Sequence, residues 1–362
     1  MLDPRRRQFI TLLGGATAWP LAARAQQADR GRRIGVLMGT AMNELRIVAC
    51  VAGLLAAGGS YAQTYPSGNV RVVVPYPAGG PTDVMARLVA QKLSEALGQQ
   101  FYVENQGGAS GTIGTAAVAH APADGRTILF TTPDFIVQPL VKAKAPYDPL
   151  KNFSPVTLAA AAPEMIAVNP SVPAKTLQEL VALLKANPGK HQYATPGVGS
   201  PPHLEGEFIY KITYHLDVVH VPFQGAAPAI TSTMAGHTSI VHMTMPALTP
   251  HVKDGKLRGI AVTGSKRSPA LPDVPTLAES DLAGFEAEFI MGVVAPAGTP
   301  KDIVELLSSQ IVRILKLPDV KERLATLGYE PVGSTPEEFV KRIKSETDKW
   351  SKVVRAANIR ID

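Results

Sequence analysis

Val70-Arg71-Val72-Val73-Val74 is a β-branched run that enters the glycine-rich turn Pro75-Tyr76-Pro77-Ala78-Gly79-Gly80-Pro81-Thr82-Asp83. A segment with Val84, Leu88, Val89 and Leu93 on one helical face follows at once. An uninterrupted apolar strand has no polar face to give to water, so it belongs inside a sheet covered on both sides. The unit recurs. Phe101–Asn105 leads through Gly107–Gly114 into a small-residue helix ending near Ala121, and Thr127–Thr131 is the next strand. Alternation of this kind predicts an α/β fold with a largely parallel sheet.

The second half repeats the pattern. Strands are expected at Met165–Val168, His191–Thr195, Val218–Val221, Ser239–His242, Ile260–Thr263 and Ile290–Val294. Helices are expected at Leu177–Lys185, His203–Tyr210 and Ala227–Ala235, then at Lys301–Leu315, Pro318–Leu327 and Pro336–Ala357. The three C-terminal helices show no further strand between them, and no repeat at solenoid periods is present.

The chain carries 36 Lys+Arg against 30 Asp+Glu, but the excess is not evenly spread. Residues 1–62 hold 8 basic and 3 acidic side chains, leaving 28 against 27 over the rest. A neutral body has no electrostatic footprint for nucleic acid. The basic N-terminus reads as two export leaders in tandem. Arg5-Arg6-Arg7 precedes the apolar run 11–18 and a small-x-small site near Ala23-Arg24-Ala25, in the manner of a twin-arginine signal. Arg46 precedes a second run, Ile47 to Gly59, that ends at Ser60-Tyr61-Ala62-Gln63. Neither run has the roughly 18 apolar residues of a membrane span. Between them, Arg32–Met38 looks like the first strand of an ABC-type periplasmic binding protein cut short, so residues 1–41 read as foreign to the fold that follows. Cys50, the single cysteine, stands near the start of the second run, where a lipoprotein cysteine would follow it. A chain cut at Ala62/Gln63 has no cysteine, which excludes a disulfide scaffold and a thiol nucleophile.

Several turns have the composition of an anion site. Ala78, Gly79 and Gly80 can present backbone N–H groups with no Cβ in the way, and the helix behind them adds the positive end of its dipole. Thr82 and Asp83 follow in the same turn, and Asp83 reads as a helix cap. Gly197-Val198-Gly199-Ser200 before the helix at His203 is a second such turn, with Ser200 as a donor and His203 at the helix mouth. Gly225-Ala226-Ala227 is a third, with Phe223 as an apolar wall. Neither Pro75–Asp83 nor Gly197–His203 contains Lys or Arg. Affinity for a carboxylate would therefore come from backbone donors.

Enzyme motifs fail on spacing. Gly108-Ala109-Ser110-Gly111 is one residue short of a nucleophile elbow. Gly107–Gly114 lacks the Lys-Ser/Thr of a phosphate loop, and Gly197–Pro202 lacks the last glycine of a dinucleotide fingerprint. No His-Glu-x-x-His occurs, so neither a metal nor a cofactor is expected. A serine hydrolase using Ser200 with His203 stays open as an alternative, as does a sensory receptor for a membrane kinase.

In order and spacing these segments resemble the extracytoplasmic receptors of tripartite tricarboxylate transporters, the Bug family. Pro75–Asp83, Glu104–Gly114, Tyr193–Phe208, Val221–Pro228, Gly255–Val262, Ser265–Glu279 and Val293–Pro300 carry the resemblance, which runs from about Met42 to the C-terminus. It implies a two-lobed periplasmic binding protein of type II-like architecture, each lobe a mixed, mainly parallel sheet flanked by helices. Lobe 1 would comprise 63–164 and 288–362, lobe 2 would comprise 165–287, and 1–62 would lie outside the fold. It further implies a monomer in the periplasm that closes on a small organic acid and delivers it to the membrane subunits of the transporter. The candidate ligand contacts are Tyr76, Ala78, Gly79, Gly80, Thr82, Asp83, Thr132, Thr195, Gly199, Ser200, His203, Phe223, Gly225, Ala226 and Ser239. Two departures stand out. Thr238-Ser239 replaces the family's Val-Asp, and Thr132-Pro133-Asp134 replaces Ser/Thr, a small residue and His or Asn.

Overall fold

The computed structural model describes residues 65–361 apart from 281 and 283, so the two leaders and their cleavage sites lie outside the described residues. Ten strands follow in chain order: β1 (Val70–Val74), β2 (Phe101–Asn105), β3 (Thr127–Thr131), β4 (Phe153–Val168), β5 (Gln192–Thr195), β6 (Val219–Pro222), β7 (Ile240–Thr244), β8 (Arg258–Val262), β9 (Glu288–Pro296) and β10 (Glu330–Pro331). The helices are α1 (Pro81–Leu97), α2 (Thr112–Ala119), α3 (Asp134–Val141), α4 (Leu177–Ala186) and α5 (Pro201–Gly206), which runs on into a π-helical stretch, Glu207–Thr213. They continue with α6 (Ala226–Met234), α7 (Met245–Lys253), α8 (Lys301–Leu315), α9 (Pro318–Thr326) and α10 (Pro336–Ala356).

The strands hydrogen-bond in the order β2-β1-β3-β9-β4-β7-β5-β6, with β8 and β10 also on β4. Two parallel blocks, β2-β1-β3 and β7-β5-β6, are joined through strands that run antiparallel. The join is β4. Its first part, Phe153–Pro163, pairs with β9, and its last residues, Glu164–Val168, pair with β7 and β8. One strand thus belongs to both lobes, and Glu164 stands where it passes from one to the other.

The sequence reading sees only Met165–Val168 of this strand, because Pro155, Pro163 and a run of alanines interrupt the β signal. The structure accommodates the irregularity with register shifts between Pro155 and Thr157 and between Leu158 and Ala160. Three further elements depart from the expectation. Helices α3 and α7 form although Pro139 and Pro250 lie inside them, and β10 adds a strand among the C-terminal helices. Both prolines sit in short helices whose apolar residues are buried, so packing outweighs propensity.

Both faces of the first parallel block are covered. Val70, Val72 and Val74 pack with Met85, Val89, Leu93, Leu307 and Ile311, while Val73 and Leu129 pack with Phe135, Phe153 and Phe339. The second block is covered likewise: Ile166 and Val168 pack with Leu180, Tyr193 and Tyr210, and Met165 and Ala167 with Met243 and Leu248. Helix α10 serves both. It starts from a capping box between Thr335 and Glu338, buries Phe339 and Ile343 in the first lobe, and buries Trp350, Val353 and Val354 in the second. The sequence division places all of 288–362 with lobe 1, whereas the last turns of α10 and Ile359 pack in the core of lobe 2. Among the described residues no helix is long and apolar enough to cross a membrane.

Candidate functional site

In open α/β sheets a ligand sits outside the carboxyl ends of the parallel strands, where the loops are free to diverge. The turn after β1, the loop after β2 and the start of α3 after β3 occupy that edge of lobe 1. The loops after β5 and β6 occupy it in lobe 2.

In lobe 1, the Tyr76 hydroxyl bonds to Thr132 Oγ1 and donates to Asp134 Oδ2 at 3.2 Å, and Thr132 donates to the same oxygen at 3.3 Å. Burial pushes the Asp134 carboxyl up to about 6, against the bonds from Tyr76, Thr132 and Gln138 that favour its charge. Burial, followed by the Asp134 charge, raises the Tyr76 phenol well above its ordinary value.

The turn Pro77–Asp83 differs from the expectation of free outward amides. Gly79 holds φ 84°, and its N–H donates to Asp83 Oδ2 at 2.9 Å. Asp83 also accepts from Arg87 Nε at 2.9 Å and from Asn105 Nδ2 at 2.9 Å. The N-cap of α1 is Gly80, and Asp83 stands inside the first turn and reaches back. Burial would raise its carboxyl, but the bonds from Arg87, Gly79 and Asn105 hold it below the usual carboxylate range. The helix entrance already holds an anion, and that anion is the chain's own. Ala78 is exposed, and Thr82 is buried beside Asp83.

In lobe 2, Thr195 and His203 are buried and joined through His220. Thr195 Oγ1 bonds to His220 Nε2 at 2.6 Å, and the His203 and His220 rings stack with centroids 3.9 Å apart. Gly199 donates its N–H to His203 Nδ1 at 3.0 Å, and Ser200 donates its hydroxyl to Gly197 O at 2.8 Å. The two side chains bond to the loop's backbone and not to each other, so the serine–histidine couple of the hydrolase alternative is not formed here. Burial lowers His203 to about 4 and His220 to about 3, the latter helped by His203 itself, so both are neutral at pH 7. Pro201 and Pro202 open α5 and have no N–H, so this helix offers no amide in its first two positions. Helix α6 does: Gly225 is its N-cap at φ 111°, and Ala226 and Ala227 are its first two residues. The α6 loop lies against the β5 loop, because Phe223 N–H donates to Thr195 O and Gly225 N–H to Pro196 O. Phe223 is partly buried against the lobe 2 core.

Ser239 does not join them. It precedes β7, which runs parallel to β5, so it lies at the opposite edge of the second block. Its hydroxyl bonds to His191 Nδ1 at 3.0 Å, its N–H to Gln192 O and its C=O to Asn169 N–H. A surface hollow of about 630 Å³, lined by Asn169, Thr231 and Lys256 among others, is at that same far edge. Ser239 is a candidate contact through the family's Val-Asp position and not through its place at the start of the strand, and the fold puts it away from the other candidates.

The two lobes meet at this edge. Gln138, on α3 and 1% exposed, donates from Nε2 to Gly199 O at 3.2 Å. The loop Gly107–Gly111, outside the candidate contacts, also reaches this edge and lies against Tyr76. Ala109 and Ser110 have φ 50° and 54° between the left-handed Gly108 and Gly111, and a Cβ on Gly111 would meet Tyr76 Oη at 3.1 Å. The cluster of glycines is its signal in the sequence. Among the described residues no group of three or more His, Cys, Asp or Glu is placed to hold a metal ion.

A model of the tripartite tricarboxylate transporter family receptor matches residues 85–359. Protein BugT of Bordetella pertussis is 34% identical over 326 residues, covering 88% of this chain and 100% of its own. A solved periplasmic transporter is 41% identical with a TM-score of 0.75, covering 82% of this chain and 100% of its own. The R. palustris protein Rpa4515, solved with adipate, is 34% identical with a TM-score of 0.75, covering 82% of this chain and 99% of its own. The match spans both lobes and every strand-end loop described above except the turn after β1, which precedes residue 85. The chain belongs to the receptor family of the tripartite tricarboxylate transporters, and it is a periplasmic solute receptor that binds a small carboxylate for a membrane transporter and is not an enzyme.

Proposed function

We propose that the carboxylate is held between the strand-end loops of the two lobes and that the lobes close on it as a monomeric clamp. The observation that carries this reading is the buried bond from Gln138 to Gly199 O, by which α3, a helix that follows β3 and packs into both cores, meets the loop after β5. The lobes are 63–164 with 288–362 and 165–287, with α10 as a strap across both. The anchoring donors are the first-turn amides of α6 at Ala226 and Ala227, together with the hydroxyls of Ser200, Thr132 and Tyr76. Gly79, Gly80, Thr82 and Asp83 form a braced wall beside them. Charge-assisted bonds to a carboxylate contribute roughly 1.5–3 kcal/mol each.

The adipate in the R. palustris relative supports an aliphatic dicarboxylate as the first compound to test. A thermal-shift panel of small mono-, di- and tricarboxylates identifies the acid, since ligand at 100 times its Kd adds about 2.7 kcal/mol. Small-angle scattering with the hit should then show a smaller radius of gyration. An unchanged radius with a ligand that does bind would sink the clamp. We also place the productive cleavage at Ala62/Gln63, which N-terminal sequencing of the exported protein checks. A start at Gln26 would overturn it.

A further inference from the structure

Behind the site, the passage between the lobes holds two carboxyls that nothing satisfies. Glu164 stands on β4 where the strand changes lobes, and Glu205 stands on α5. Each is 1% exposed, and among the described residues none of their four carboxyl oxygens has a hydrogen-bond partner. An ionised carboxylate without water or donors is among the costliest groups a protein can bury, and such a group takes up a proton instead. We propose that Glu164 and Glu205 form a proton-binding pair at the hinge, neutral in the folded protein, so that the position of the lobes and the protonation of the pair are linked.

The surroundings fit this reading. Three further elements bring titratable groups to the pair: Asp134 from α3, Tyr329 from the segment before β10, and Glu346 with Lys349 from α10. Asp134 acts on Glu164, and Glu164 and Glu346 both act on Glu205, all as like charges. Lys349 is the cation that acts on Glu205. That cation is already engaged, because Lys349 bonds to Glu346 at 2.9 Å, and Arg342 pairs with Glu288 and Glu346. Burial, and then the Asp134 charge, pushes Glu164 up to about 8. Asp134 stands at the start of α3 beside Phe135 and Ile136, which pack in the first lobe, whereas Val137 and Val141 of the same helix pack in the second; α5 belongs to the second, and β4 and α10 to both. A change in lobe spacing therefore changes the distances between these carboxyls and with them their affinity for protons. The sign follows from linkage. A carboxyl whose folded value lies above its unfolded value binds a proton in the folded state and not in the unfolded one, so stability falls as pH rises from about 4.5 to about 8.

The test does not depend on which ligand the receptor takes. Thermal unfolding of the unliganded mature protein is followed from pH 5 to pH 9 for wild type, Glu164→Gln and Glu205→Gln. The buried histidines are common to all three proteins, so the difference between the wild-type midpoint and that of each amide variant should fall with pH across this range. The two amide variants should match the wild type near pH 5 and exceed it above pH 7. A variant destabilised by the same amount at every pH would overturn the proposal, because the carboxyl would then have a structural role and no proton linkage. Should a variant fail to fold, infrared spectroscopy of the wild type at pH 7 decides. A protonated-carboxyl C=O band that disappears by pH 9 supports the pair, and its absence at pH 7 refutes it. Proton uptake on binding, measured calorimetrically in two buffers with the acid found by the thermal-shift panel, then reports whether closure moves the pair. Uptake or release lost in both amide variants supports the link, and equal uptake in wild type and both variants refutes it.

Discussion

The mouths of the two lobes are built from the same parts, a strand end, a glycine-bearing turn and a helix entrance, yet opposite electrostatics hold them. In lobe 1 the turn is pinned by an ionised carboxylate: Asp83 gathers Gly79 N–H, Arg87 and Asn105. In lobe 2 the turn is pinned by a neutral ring: Gly199 N–H donates to His203 Nδ1, and the ring is stacked on His220. The Asp83 carboxylate, paired with Arg87, already takes the donors of the first turn, whereas the imidazole that pins the second turn is itself neutral. In the proposed clamp the helix-entrance amides that capture the anion would then be those of the second mouth, with the turn Gly79–Asp83 as a braced wall beside Tyr76 and Thr132 in the first. The contrast also explains how a receptor for acids can lack Lys and Arg in both turns.

Asp83→Ala should have the largest effect. Arg87 is half-exposed, so its ion pair adds little. The bonds to Gly79 and Asn105 are charge-assisted and shielded, and at about 1.5 kcal/mol each their loss should cost roughly 3 kcal/mol of unfolding free energy. Denaturant unfolding measures this. If the carboxylate is only a brace, the surviving folded fraction should bind its acid at least as tightly as wild type. Weaker binding in a correctly folded variant would make Asp83 a ligand group and break the division between the mouths.

Next in size is Gly199→Ala. The residue has φ 71°, and an added Cβ would lie 2.6 Å from Ile361 Cδ1 and 3.0 Å from Val141 Cγ2. Left-handed strain and overpacking together should cost about 2–3 kcal/mol and disturb the Gln138 bond to the same residue. A loss under about 0.5 kcal/mol would mean that the lobes do not pack at this loop as they do here.

Acid should then discriminate between the mouths. His203 and His220 are held near 4 and 3 by burial, so the unfolded chain binds protons that the folded chain refuses. Stability contributed by this stack is therefore present above the ordinary histidine value of about 6.5 and is lost as pH falls toward 4, by at most about 1.4 kcal/mol per pH unit for each ring. His220→Phe keeps a ring for His203 to stack on and removes one titrating group. Its unfolding free energy should depend less steeply on pH between 6.5 and 4 than that of wild type. Equal slopes would show that the stack is not the unit that takes up the protons.

How much of this was legible in the sequence follows the same contrast. Strands with continuous β-branched runs, Val70–Val74 above all, could be read with their turns, because burial on both faces leaves an unbroken signal. The element that joins the lobes could not. β4 carries two prolines and an alanine run, and only its pairing with β9, β7 and β8 makes it a strand. Among site residues, those next to a glycine turn were found at the carboxyl edge, since the turn itself marks that edge. Ser239, a candidate through the family's Val-Asp position, lies away from them, and nothing local says which end of β7 faces the ligand. Gln138 was missed because an isolated glutamine in a helix containing Pro139 carries no local signal, and only the fold brings it to Gly199. The destination of the Gly79 amide was equally hidden. Glycine announces that the backbone can be approached, but Asp83, four residues on, is what approaches it.

Gly79→Ala is the mildest change and the sharpest comparison with Gly199. Both residues are left-handed, at φ 84° and 71°, but a Cβ on Gly79 meets nothing within 4 Å. The cost should therefore be conformational strain alone, about 1 kcal/mol, and so roughly half or less of the loss at Gly199. The N–H of residue 79 still points at Asp83 in the variant, so the brace should survive. If the first mouth is a wall, affinity for the carboxylate should change less than twofold. A tenfold loss of affinity with the fold intact would mean that the ligand reaches the backbone of this turn, and the first mouth would then have to share in anion capture. The same calorimetric titration on Ser200→Ala supplies the other half of the comparison. That hydroxyl is bonded to Gly197 O in the unliganded loop, so releasing it to a ligand exchanges one bond for another. Its loss should cost a net of about 0.5–1.5 kcal/mol in binding. A larger effect at Ser200 than at Gly79 is the result that keeps anion capture in the second lobe.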